Sequence, residues 1–239
     1  MKRTKIKICG LFRSVDIEYV NQVRPDYAGF ILAQGFRRSI SREQAAGFRK
    51  RMDRAITAVG VFVDDSRDEI IDYLDKDIIQ MAQLHGRETE EDIRYIQAAM
   101  GKPVLKAVKV QDRSDVEAWL DSAADYLVFD GGAGSGRGFD WTLLSDISRD
   151  FFLAGGLNAG NMKKALALHP FAVDLSSGVE TGGVKDREKM RAAVELVRGC
   201  PGMQRKHEHT CIEENQGEEE ERCRKGDTEY TVDSTSPKL

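Results

Sequence analysis

Cysteine is all but missing from the first 199 residues of this 239-residue chain. Cys9 stands alone there, and the other three lie at 200, 211 and 223. Four thiols at that spacing make no disulfide framework, so a reducing compartment is expected and the chain reads as cytoplasmic. Histidine is as sparse. His85 and His169 are the only two before residue 200, too scattered for a metal site, and His207, His209, Cys211 and Cys223 match no zinc-finger spacing. Positive charge is not in excess: the net charge is −4. Residues 200–239 carry six Lys/Arg and ten Asp/Glu, which leaves thirty of each sign in the body. Without a basic stripe or a nucleic-acid motif, no nucleic acid is expected as a partner. No apolar run is long enough to cross a bilayer and no secretory core is recognisable, so no membrane is expected either. A GKS/GKT phosphate loop is lacking. In Gly132-Ala133-Gly134-Ser135-Gly136, Arg137 takes the place of the third glycine of the open-sheet nucleotide fingerprint.

What is present is an alternation. Short apolar or β-branched runs predict strands at Lys5–Cys9, Tyr27–Ala33, Ala55–Val63, Ile78–Leu84, Val104–Val110, Tyr126–Asp130, Phe151–Ala154 and Phe171–Leu175. A helix-period segment follows each one. Ser41-Arg42-Glu43-Gln44 and Ser66-Arg67-Asp68-Glu69 read as capping boxes. Ala45, Phe48 and Met52 form one apolar stripe, and Met190, Ala193 and Val197 another; both are core faces. Eight βα units in one compositional regime predict an α/β fold, a single-domain (β/α)8 TIM barrel over residues 1–199. Residues 200–239 are polar and acidic, with a Glu218–Glu221 run, and bury too little apolar surface to offset chain ordering; a disordered tail is expected.

In such barrels the working groups project from the C-terminal strand ends. Those ends carry Cys9, Arg37 or Arg38, Asp64 or Asp65, His85, Asp130, Gly155-Gly156 and Ser176-Ser177-Gly178. They read as a base, a cation, an acid and a phosphate cradle. Alternation places Lys5, Lys7 and Cys9 on one face of the first strand. An ammonium two residues behind the thiol is expected to hold it partly as thiolate. Asp130 ends an apolar strand, which suits it to give a proton or to cap the next loop. Gly131–Gly138 is a lid, a close approach to a ligand, or a connection. Leu153-Ala154-Gly155-Gly156-Leu157-Asn158 and the Ser177-Gly178 exit supply bare backbone where this fold holds phosphate.

Seven motifs then fall in one order: Lys7-Ile8-Cys9-Gly10, Gly29-Phe30-Ile31, Gly60-Val61-Phe62-Val63, Gln83-Leu84-His85-Gly86, Phe129-Asp130 with Phe139-Asp140-Trp141, Leu153 to Asn158, and Asp174 to Glu180. In that order they resemble the phosphoribosylanthranilate isomerases. The resemblance spans residues 4–198. It implies an isomerase of tryptophan biosynthesis that converts N-(5′-phosphoribosyl)anthranilate to 1-(2-carboxyphenylamino)-1-deoxyribulose 5-phosphate by an Amadori rearrangement, with no metal and no cofactor. It further implies Cys9 as general base and Asp130 as general acid. Arg38 would bind the anthranilate carboxylate, and Gly155, Gly156, Ser177 and Gly178 the phosphate, with Lys7, His85 and Asn158 beside the substrate. The implied partner is a phosphorylated small molecule, and the family includes monomers and homodimers. Two departures stand out. Gln34-Gly35-Phe36-Arg37 replaces the usual Pro-Lys-Ser-type stretch, and residues 200–239 have no counterpart. The histidine-pathway barrel that performs the same rearrangement normally has an aspartate where this chain has Cys9, which argues against that activity.

Overall fold

Eight parallel strands close on themselves in sequence order in the computed structural model, which describes residues 3–131 and 139–199. The strands are β1 (Lys5–Cys9), β2 (Tyr27–Ile31), β3 (Thr57–Phe62), β4 (Met81–Leu84), β5 (Val104–Lys109), β6 (Tyr126–Asp130), β7 (Phe151–Leu153) and β8 (Ala172–Leu175). β8 pairs back onto β1, with Lys7 opposite Asp174, and this closure makes the barrel. The glycine-rich stretch 132–138 and the tail 200–239 lie outside the described residues.

Alternation sorts each strand between two cores. In β1, Ile6 and Ile8 face the helices, while Lys7 and Cys9 face the interior. In β6, Leu127 and Phe129 face out and Val128 faces in. The inner layer of Tyr27, Val59, Met81, Leu105, Val128, Phe152 and Ala172 fills the barrel beneath the mouth. The interior is therefore a packed layer, with Lys7, Gln83 and Asp174 on its mouth side and Lys5 Nζ donating to the Tyr27 hydroxyl at 3.2 Å at the opposite end.

The helices are α1 (Ser14–Val23), α2 (Arg42–Arg51), α3 (Arg67–Asp75), α4 (Glu90–Met100), α5 (Arg113–Glu117), α6 (Met162–Ala167) and α7 (Arg187–Gly199). The capping box before α2 forms as expected: Gln44 N–H donates to Ser41 Oγ at 3.3 Å and Ser41 N–H to Gln44 Oε1 at 2.9 Å. Before α3, Glu69 N–H donates to Ser66 Oγ at 3.2 Å. One expectation is corrected after β6. Among the described residues the connection to β7 holds a 3₁₀ turn, Trp141–Leu144, where a helix was expected. Asp140 caps that turn, and Asp146 adopts a left-handed φ of 66°, which an α-helix does not continue through. A second addition follows β8. The two-residue strands β9 (Glu180–Thr181) and β10 (Val184–Lys185) form a small hairpin before α7.

Candidate active site

A cavity of about 600 Å³ opens at the C-terminal ends of the strands. Its wall includes Cys9, Arg37, Arg38, His85, Asp130, Gly155, Gly156, Ser177 and Gly178. Eight of these, all but Arg37, belong to the ten residues that the resemblance assigns to the site, whereas the strand-end candidates Asp64 and Asp65 do not line the cavity. Lys7 lies one layer below, fully buried. Asn158 stands behind the glycine pair and bonds its own loop, donating from Nδ2 to the Gly156 carbonyl at 3.1 Å.

Cys9 sits where it does because β2 has no side chain beside it. A Cβ on Gly29 would come within 2.6 Å of the Cys9 sulfur. Lys7 Nζ, two residues earlier on the same face, donates to Asp174 Oδ2 at 2.6 Å and to Gln83 Oε1 at 2.8 Å. Burial pulls the Lys7 ammonium down, but Asp174 and, less strongly, Cys9 together outweigh it, and the group titrates above its ordinary value. The expectation that Lys7 holds Cys9 as thiolate is therefore corrected. Burial pushes the Cys9 thiol up, Asp174 pushes the same way, and the opposing pulls of Lys7 and Lys185 do not cancel them. The physical reason is chiefly burial, which penalises the charged thiolate, with the Asp174 carboxylate adding to it. Asp174 Oδ1 is buried and meets no hydrogen-bond donor among the described residues.

On the far side, Asp130 ends β6 with its side chain 15% exposed, and His85 Nε2 lies 3.7 Å from its Oδ2. His85 Nδ1 is 3.1 Å from Gln83 Nε2. Gly155 keeps this corner open: its φ is 85°, and a Cβ there would come within 2.8 Å of Asp130 Oδ1. Burial pulls the imidazole of His85 down past the opposing pull of Asp130.

The cationic sector lies on the loop after β2. Arg38 is 15% exposed, with Nε 2.8 Å from Glu180 Oε1, and it donates from Nη2 to Oε2 at 3.0 Å. Arg37 is 54% exposed and binds Glu180 from outside. Both arginines line the cavity, and Arg38 is the more buried of the two. Lys185, buried, donates to Glu180 Oε1 at 2.7 Å. Burial raises the Glu180 carboxyl, yet its bonds from Arg38 and Lys185 overcome that and hold it below its ordinary value. Beside Arg38 the wall is apolar, built from Ile31, Val61 and Val63, with Phe36 half-exposed at the rim.

The last sector is bare backbone. Gly155 and Gly156 both adopt left-handed φ, 85° and 66°. Gly178 packs so closely on the next loop that a Cβ would collide with the Leu157 carbonyl oxygen. This interlock joins the loops after β7 and β8 into one concave edge, the usual anion site of the fold.

Four site residues escaped the sequence reading: Gln83, Asp174, Glu180 and Lys185. Gln83 and Asp174 carried a usable signal, since each is a polar side chain on the inward face of an otherwise apolar strand. Glu180 and Lys185 carried none, because the hairpin that buries them shows only in three dimensions.

A closed parallel barrel with a thiol and a carboxyl lining one mouth, a guanidinium on the loop next to the thiol and a glycine-lined edge defines a class: (β/α)8 enzymes that work by general acid–base chemistry. Comparison with known proteins narrows it. The family model for N-(5′-phosphoribosyl)anthranilate isomerase matches residues 6–196. The N-(5′-phosphoribosyl)anthranilate isomerase of Endomicrobium trichonymphae is 46% identical over 200 residues, covering 81% of this chain and 98% of that protein. The crystal structure of phosphoribosyl anthranilate isomerase from Thermus thermophilus superimposes with a TM-score of 0.75 at 34% identity, covering 82% of this chain and 98% of that one. A phosphoribosyl anthranilate isomerase in complex with reduced 1-(o-carboxyphenylamino)-1-deoxyribulose 5-phosphate gives a TM-score of 0.74 at 32% identity, covering 82% and 100%. The chain belongs to the N-(5′-phosphoribosyl)anthranilate isomerase family. Among the described residues no helix is long and apolar enough to cross a membrane, and no three His, Cys, Asp or Glu side chains group as metal ligands.

Proposed function

We propose that this cavity carries out the Amadori rearrangement of N-(5′-phosphoribosyl)anthranilate with Cys9 as general base and Asp130 as general acid. The chain is an aldose–ketose isomerase of tryptophan biosynthesis, as its family is. The observation that carries the residue roles is that the thiol and the carboxyl, three strands apart around the ring, line one cavity.

Asp130 gives its proton to the furanose ring oxygen. The bond from that oxygen to C1′ breaks, and the anilino nitrogen lone pair forms a protonated imine. That cation now sits in a poorly solvated cavity and favours a thiolate nearby. Burial pushes the Cys9 thiol up, and the cation formed on ring opening acts against that push. Cys9 then removes the C2′ proton, the electron pair forms an enolamine, and tautomerisation yields the ketone. Each general acid or base contributes roughly 10²–10⁴-fold. Asp174 Oδ1 offers an acceptor to a sugar hydroxyl. Arg38 takes the anthranilate carboxylate, and Ile31, Val61 and Val63 take its ring. The phosphate rests on Gly155, Gly156, Ser177 and Gly178. Fixing both ends of the substrate supplies positioning. Every group invoked comes from one chain, so the reading holds for a monomer or a homodimer.

The test is turnover of N-(5′-phosphoribosyl)anthranilate by Cys9→Ala and Asp130→Asn. Each variant is expected to lose at least ~10²-fold in kcat with an unchanged circular dichroism spectrum. Normal kcat in either variant would remove that residue from its role.

A further inference from the structure

We infer that Gln83 is a positioning residue that holds His85 as a neutral imidazole protonated on Nε2, aimed at Asp130. The inference deepens the acid–base reading above and rests on it for its catalytic meaning. Its structural content stands on donor and acceptor counting alone.

An ammonium only donates. Lys7 Nζ is 2.8 Å from the Gln83 side chain, so the atom that faces it is the amide oxygen. That leaves the amide nitrogen, which also only donates, 3.1 Å from His85 Nδ1. Nδ1 must therefore accept, and it carries no proton. An imidazolium is excluded for the same reason, because it would set N–H against N–H. The remaining proton sits on Nε2, the nitrogen 3.7 Å from Asp130 Oδ2. At that separation a bridging water or a small approach completes the contact.

Four charged groups act on His85 from the strands around it: Asp130 on β6, Lys7 on β1, Asp174 on β8 and Lys106 on β5. Asp130 and Asp174 favour imidazolium; Lys7 and Lys106 oppose it. Burial and the Gln83 amide tip the balance to the neutral ring. The consequence falls on the acid. A cation beside a carboxyl favours its ionised form; a neutral ring presents an N–H donor and no such cation. His85 can still stabilise the carboxylate left after transfer, through one N–H.

The measurement is long-range ¹H–¹⁵N NMR of the full-length protein with ¹⁵N-histidine, the His85 ring being assigned by its loss in His85→Gln. At about pH 6.5, the ordinary imidazole midpoint, wild-type His85 is expected as the neutral Nε2–H tautomer. Gln83→Glu puts an acceptor against Nδ1, and the ring is expected to become imidazolium or Nδ1–H. In that variant kcat is expected to fall about tenfold or more with KM within about twofold. Gln83→Met, with no acceptor, should keep the ring neutral and lose less. A wild-type ring protonated on Nδ1 would overturn the inference. So would a Gln83→Glu ring identical to the wild-type one, or Gln83→Glu turnover equal to that of wild type. A wild-type protein with the stated tautomer but no turnover of N-(5′-phosphoribosyl)anthranilate would refute the isomerase reading instead.

Discussion

Lys7→Met tests the charge arrangement under the site without reference to turnover. The Lys7 side chain is fully buried, that of Asp174 is 7% exposed, and the two are 2.6 Å apart. At an effective dielectric constant of ~20, that separation gives an attraction of about 6 kcal/mol. Desolvation of both ions offsets most of it, so the pair as a whole is worth little against a well-packed apolar pair. Breaking it is a different matter. Lys7→Met leaves the Asp174 carboxylate buried without its cation and Gln83 Oε1 without its donor; the expected loss is about 3–5 kcal/mol. Asp174→Asn leaves the ammonium stranded and should cost about as much. For a barrel of this size the melting temperature should drop by about 6–20 °C.

The double variant Lys7→Met/Asp174→Leu separates this from a general packing defect. It removes both charges, and it is expected to be no less stable than either single variant. Urea denaturation followed by circular dichroism, read as a double-mutant cycle, gives the coupling. Single losses under about 1 kcal/mol, or a double loss equal to the sum of the singles, would refute the picture of a dry, mutually dependent pair. The pH dependence has a definite sign. Lys7 titrates above its ordinary 10.5 when folded. Its contribution is complete below that value and is lost only as the pH rises through the folded one.

Cys9 should behave as a buried thiol with a raised titration point: iodoacetamide labelling of the 1–199 thiol, followed by peptide mass spectrometry, is expected to be slow at neutral pH and to accelerate only above the ordinary 9.0. Rapid labelling at neutral pH would mean a thiolate at rest. Between 9.0 and the folded value the native state holds the extra proton, so wild-type stability should fall with pH there, and Cys9→Ala should flatten that part of the curve. Arg38→Lys is expected to raise KM for the anthranilate substrate by about tenfold or more, since a point charge replaces a planar two-bond donor. Arg37→Lys should change it less than about threefold, and the reverse ranking would move the carboxylate site outward.

The parts legible in the sequence were those set by neighbours along the chain. Lys5–Cys9 is a strand from its alternation alone, and the same alternation puts Cys9 and Asp130 at the inward-facing tops of β1 and β6. The Ser41 box is legible because its partners are three residues apart. What escaped depends on ring closure. The expectation of a thiolate used Lys7, two residues from Cys9, and omitted Asp174, 167 residues away in sequence and 2.6 Å away in space. Closing the ring buries the thiol and brings Asp174 to the ammonium, and it is first the burial, then Asp174, that outweighs the pull of Lys7. Gln83 escaped for the same reason. Its amide has a direction only because Lys7 reaches it from another strand, and that direction then decides which nitrogen of His85 holds a proton. Local sequence thus placed Cys9 and Asp130 at the mouth, and contacts between distant strands decide which groups surround them.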